Sequence, residues 1–182
     1  MLRLSGGRRL QSPAGDTARP TPSRVRLAVM NMLSSQLLGA RWLDLCCGSG
    51  VMGCEALQRG AIEVLAIDQD RRIAATAQSN LELVAASQNP PGRVKVVQQH
   101  VLRWLTRGNP GEGFDLIYAD PPYSGGLYEP MAQALANGQW LKAEGLLLME
   151  CSSAAVPEIP GPWLLQQERR YGSTTVLLLQ QT

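Results

Sequence analysis

The sequence predicts an α/β fold: a mostly parallel sheet with helices on both faces. Two observations carry this. Short apolar runs rich in β-formers alternate with stretches of helical periodicity, the pattern of successive parallel strands joined by helical crossovers. The tail "PWLLQQERRYGSTTVLLLQQ" breaks that rhythm and reads as two strands meeting near Tyr171-Gly172. The expected result is a seven-stranded sheet that ends in an antiparallel hairpin.

Residues 1–20 are rich in Gly, Pro and Arg and read as a basic arm, with residues 21–182 as one domain. A helix is expected over "TPSRVRLAVMNMLSSQLL". Thr21 is its cap and Pro22 its first residue. Val25, Val29, Met32 and Leu33 share one face, and Gly39 ends it. Then "RWLDLCC" predicts a strand, "GSGVMGCEALQRG" a turn and helix, and "AIEVLAID" a strand. "RRIAATAQSNLELVAAS" predicts a helix, with Asp70 before it as a cap or a spectator, "GRVKVVQQ" a strand and "VLRWLTRG" a short helix. "FDLIYAD" predicts a strand, "YEPMAQALANG" a helix and "EGLLLMECS" a strand. No internal repeat or linker divides the chain.

The totals narrow the function classes. The 182 residues are 45% hydrophobic and 18% charged, which suits one globular domain with its own core. No apolar run is long enough to span a bilayer, and the first residues lack a signal-peptide core, so a cytoplasmic location is expected. The cysteines are Cys46, Cys47, Cys54 and Cys151, and His100 is the sole histidine. That spacing suits neither zinc nor a disulfide framework, so no metal is expected. The net charge of +2 hides an asymmetry. Residues 1–26 hold six arginines against Asp16, which is +5, leaving −3 for the rest. That is the form of a phosphate binder with a near-neutral body, and equally of a solvated leader.

Two motifs carry chemistry. "WLDLCCGSGVMGCEAL" sets Gly48, Gly50 and Gly53 between a strand and its helix, and Asp68 ends the next strand. Glycines permit a tight turn and close ligand approach, while the second-strand acid can accept from ribose hydroxyls. An adenosine-bearing cofactor over these strand ends is expected. Asp44 precedes the turn, and a carboxylate there suits a cationic amino group better than a diphosphate. The second motif is Asp120–Tyr123, "DPPY", after the fourth strand. Proline has a fixed φ and no N–H, so the chain leaves the sheet stiffly.

"DLCCGSG" resembles the acid-x-Gly-x-Gly-x-Gly signature of class I, Rossmann-like S-adenosylmethionine-dependent methyltransferases, with Cys46 at the first glycine. "DPPY" resembles the Asn/Asp-Pro-Pro-aromatic motif of those that methylate planar nitrogens, which implies that the Asp120 side chain and the Pro121 carbonyl each accept one N–H of the amine and that Tyr123 stacks on its ring. "ARPTPSRVRLAVMNML", "LDLCCGSGVMGCEALQRGA" and "YGSTTVLLL" extend a likeness to bacterial guanine-N2 methyltransferases of 16S rRNA over residues 18–180. Leu27 stands where that family usually has Glu, and Cys46-Cys47 where it has an aromatic and Ala. The resemblance implies S-adenosylmethionine held by Asp44, Gly48, Gly50 and Asp68, with Gln99 or His100 at the adenine edge. It implies Arg19, Arg24 and Arg26 on rRNA phosphates of the 30S subunit or an assembly intermediate, with no membrane partner. DNA adenine-N6 methylation, a catalytically silent RNA-binding module and a nicotinamide oxidoreductase remain as alternatives; the last leaves "DPPY" unexplained.

Overall fold

The computed structural model describes residues 1–15 and 20–182. Two short strands, β1 (Leu2–Arg3) and β2 (Arg9–Leu10), pair antiparallel, and α1 (Ser23–Met32) follows. The alternating section runs β3 (Arg41–Leu45), α2 (Val51–Gln58), β4 (Glu63–Asp68), α3 (Arg71–Ala85), β5 (Arg93–Gln98) and α4 (Val101–Leu105). It continues through β6 (Phe114–Ala119) and α5 (Tyr128–Asn137) to β7 (Leu141–Ser152). The chain closes with β8 (Trp163–Tyr171) and β9 (Thr174–Gln181).

The main sheet has the order β5-β4-β3-β6-β7-β9-β8. Its first five strands are parallel, and β9 pairs antiparallel with both β7 and β8. Alternate residues of each inner strand enter opposite layers, because successive side chains of a strand point to opposite faces. Trp42, Val64, Leu116, Tyr118 and Leu148 pack with α1, α2 and α3. Leu43, Ile67, Ile117, Leu147 and Met149 pack with α4 and α5. Two-sided burial is why these strands read as continuous apolar runs.

Three details depart from the sequence reading. The helix expected to reach Gly39 stops at Met32, and the chain continues in tight turns closed by Ser34 N–H to Asn31 O and Gln36 N–H to Leu33 O. Leu33 and Leu37 remain buried through those turns, so the apolar pattern outlasts the helix. Thr21 does not cap α1; its hydroxyl donates instead to the buried carboxylate of Glu150 at 3.2 Å. Residues 1–20, read as an arm, contain the β1–β2 pair, whose Leu2 and Leu10, with neighbouring Leu4, are buried in the α1–α3 core layer. Asp70 does cap α3, accepting from the N–H groups of Arg72 and Ile73 at 2.8 and 3.0 Å.

Gly53, in α2, allows that helix to lie against β4. A Cβ there would come within 2.7 Å of Val64 Cγ1 and 3.1 Å of Leu81 Cδ2. Both neighbours are fully buried, so neither can swing away. Gly53→Ala is therefore expected to destabilise the protein by about 1–3 kcal/mol despite the better helix propensity of alanine. Chemical denaturation checks this, and unchanged stability would show that the helix can shift without penalty.

Candidate active site

β3 lies at the point where the strand order reverses. From it the chain moves one way to β4 and β5, and later returns on the other side as β6 and β7. Loops at the carboxyl ends of β3 and β6 must therefore diverge and leave a crevice. A cleft of about 860 Å³ opens there, lined by Asp44, Gly48, Asp68, Asp120, Pro121 and Tyr123 among others. That volume lies within the usual range for small-molecule sites. The two motifs, more than 60 residues apart in sequence, thus face one cavity.

The glycine turn is held by the two acids beside it. The Asp68 carboxylate accepts from Gly48 N–H at 3.1 Å and from Asp70 N–H at 3.0 Å. Asp44 is buried and accepts from Gly53 N–H at 3.2 Å, at the start of α2. Burial pushes the Asp44 carboxyl well above its usual range, with the nearby Asp68 charge adding to the rise and the Gly53 bond opposing it. Asp68 is also raised by burial, partly offset by its backbone bonds. Two desolvated carboxylates facing one cleft favour a cationic or hydroxyl-bearing ligand. Gly48 and Gly50 both have positive φ, at 54° and 76°. Cys46, at the first glycine position of the signature, also has positive φ, at 59°. Burial raises its thiol to about 12, so neither it nor the still more buried Cys47 is a thiolate nucleophile.

On the other wall, Asp120 N–H donates to Leu45 O at 3.2 Å, clipping the end of β6 to β3. Pro121 is buried, and Tyr123 is half-buried against the α4–α5 layer. Tyr118, two residues before Asp120, donates its hydroxyl to Glu150 Oε2 at 2.5 Å. Glu150 also lines the cleft and is buried, and Tyr128 donates to its carbonyl at 3.0 Å. Sequence reasoning missed Glu150. Its signal was a carboxylate inside "LLLMECS", because a charge within a buried strand requires partners.

The expected outer contacts are distributed unevenly. His100 is exposed and precedes α4, and neither it nor Gln99 is among the described residues that line the cleft. Arg24 is exposed. Arg19 lies outside the described residues. Arg26 is corrected: it is only 5% exposed and so cannot face RNA phosphates. Its guanidinium donates to Thr21 O and Arg3 O at 2.9 and 2.6 Å and pairs with Glu55 at 3.5 Å. Glu55 is itself fully buried and accepts from Ser5 and Arg59. Asn80, also missed, ties the N-terminal segment to the glycine turn. It exchanges two bonds with the Gln11 backbone and donates to Ser49 O at 2.9 Å.

The chain matches the family described as Conserved hypothetical protein 95 over residues 4–180. The chain belongs to this family. It is 31% identical over 175 residues to Ribosomal RNA small subunit methyltransferase D of Escherichia coli K12, covering 96% of this chain and 85% of that protein. It is 29% identical to the protein of the same name from Haemophilus influenzae, covering 96% of this chain and 89% of that one. Among solved structures, the Escherichia coli methyltransferase yhhF superposes with a TM-score of 0.83 at 30% identity, over 99% of this chain and 97% of that one. The fold is that of class I methyltransferases, and the chain is an enzyme of that kind. Among the described residues no His, Cys, Asp and Glu cluster could hold a metal, and no helix is long and apolar enough to cross a membrane.

Asn80→Ala is expected to cost about 1–3 kcal/mol, because it leaves the buried Ser49 carbonyl and the Gln11 backbone without their partners. Urea denaturation measures the loss. Stability equal to wild type would mean that water replaces the amide at no cost.

Proposed function

We propose that the protein transfers a methyl group from S-adenosylmethionine to the exocyclic N2 of a guanine in 16S rRNA of the small ribosomal subunit. The observation that carries this reading is the juxtaposition of "DPPY" and the acid-flanked glycine turn across one cleft. The relatives named as small-subunit rRNA methyltransferases supply the substrate class.

S-adenosylmethionine, when bound, supplies an electrophilic methyl carbon on a sulfonium. The cleft suits such a ligand. Asp44 would hold the cationic amino group, Asp68 the ribose hydroxyls, and the Gly48–Gly50 backbone allows close approach. The guanine must leave its stack to reach the bottom of such a cleft. Its amino nitrogen is a poor nucleophile, since the lone pair is delocalised into the ring. The Asp120 carboxylate and the Pro121 carbonyl would each accept one N–H, turning the lone pair toward the methyl carbon. Tyr123 would stack on the base. Orientation of this kind can supply much of the barrier reduction. The nitrogen becomes acidic only after it has gained the methyl, and the proton then leaves to solvent. Asp120 thus positions and need not be a strong base.

Methyl-labelled cofactor incubated with small ribosomal subunits, rRNA or DNA tests the reading, with the labelled nucleoside identified after digestion. N2-methylguanosine is expected, and N6-methyladenine would contradict it. Asp120→Ala is expected to abolish transfer while leaving cofactor affinity within a few-fold of wild type, because the loss falls on the transition state. If Asp120 only rigidifies its loop, that variant instead melts earlier and keeps its turnover per folded molecule.

The raised Asp44 carboxyl has a consequence for binding. A cation beside it favours the ionised form, so binding releases a proton wherever Asp44 is neutral in the free enzyme. Cofactor affinity should therefore rise as pH increases from the acid side. Calorimetry in buffers of different ionisation enthalpy reads the proton release, and pH-independent affinity would remove Asp44 from this role.

A further inference from the structure

The β8–β9 turn gathers positive charge that has no ion-pair partner among the described residues. Arg24, in the first turn of α1, donates from Nη2 to Tyr171 O at 3.3 Å. Arg170, at the end of β8, donates from Nε to the next carbonyl, Gly172 O, at 3.2 Å. Two exposed guanidinium groups thus bond consecutive carbonyls of one turn. Neither is ion-paired among the described residues. Glu168 shares Arg170's face of β8 but makes no ion pair with it. Like charges drawn together without an intervening acid repel, and an anion placed between them relieves that repulsion. Arginine presents five donors and here each commits one to the turn, so both retain donors for phosphate oxygens.

The place of the turn in the fold says which ligand it meets. Thr174 pairs with Ser152, so the turn sits at the carboxyl end of β7. Glu150, two residues earlier on β7, lines the cleft, as do Pro20 and Thr21 shortly before Arg24. The turn therefore borders the "DPPY" half of the cleft, while the glycine turn follows β3, two strands away from β7.

We infer that Arg24 and Arg170, bracketing the β8–β9 turn, form a phosphate-binding rim over which the RNA backbone reaches the "DPPY" side of the cleft. This rests on the proposed rRNA substrate and assigns its docking surface. It also transfers the phosphate role from buried Arg26 to the far end of the chain.

The test is equilibrium binding of the full chain to 30S particles at fixed magnesium across a range of KCl. Arg24→Gln/Arg170→Gln is compared with Arg103→Gln/Arg107→Gln, a pair at α4 that changes the net charge equally. Two lost phosphate contacts should make the slope of log affinity against log salt shallower by about 1.4–1.8. The α4 pair should leave the slope at the wild-type value, and S-adenosylhomocysteine affinity should be unchanged in both. A wild-type slope in the rim variant would overturn the inference, and so would equal losses in both variants, since the effect would then be general charge. Salt-dependent binding through the rim without N2-methylguanosine formation would count against the proposed reaction alone.

Discussion

The site depends on the position of β3 between β4 and β6. Its side chains are buried on both faces, and its end is bonded to both neighbours. Cys47 N–H donates to Ile67 O on one side, and Leu45 O accepts from Asp120 N–H on the other. These two bonds fix the glycine turn and the Asp-Pro-Pro loop to one rigid edge. Catalysis by positioning needs that rigidity, since small displacements of the reacting groups cost large factors in rate. The same edge imposes electrostatic strain. Burial raises the Cys46 thiol, and the nearby charges of Asp68, Asp120 and Asp44 each add to the rise. A cleft so crowded with acids is suited to a cationic ligand on one side and an amine donor on the other.

The N-terminal segment completes the cleft. Its leucines bury in the α1–α3 layer, and Met1, Leu2, Ser12 and Pro13 contribute to the lining. Arg26, Glu55 and Asn80 hold it through buried polar bonds to Arg3, Ser5 and Gln11. Removing one partner from such a network leaves a buried charge or dipole uncompensated, which costs more than the bond itself contributes. The segment is thereby coupled to the glycine turn through Ser49, so order in one supports order in the other.

Much of this was legible in the sequence because the strands are buried on both faces and the helices are amphipathic. The alternation located the five parallel strands of the main sheet, the tail that breaks it located the last two, and "DPPY" and the glycine turn were visible as local motifs. The role of Arg26 was not legible. An arginine in a basic stretch looks like its exposed neighbours until the fold sets Glu55 against it. Asn80 was hidden for a similar reason: its partners are backbone groups 31 and 69 residues away. The hairpin at residues 2–10 was obscured by its glycines and arginines, which mask three leucines. The early end of α1 was concealed because Leu33 and Leu37 continue the apolar spacing beyond the helical hydrogen bonds.

The central claim is that one cleft holds a methyl donor on the β3–β4 side and a flipped base on the β6 side. A crystal structure with S-adenosylhomocysteine bound tests it most directly. The account predicts the amino group beside Asp44, the ribose at Asp68 and the sulfur facing Asp120. A ligand bound outside this cleft, or with its sulfur turned away from Asp120, would contradict it.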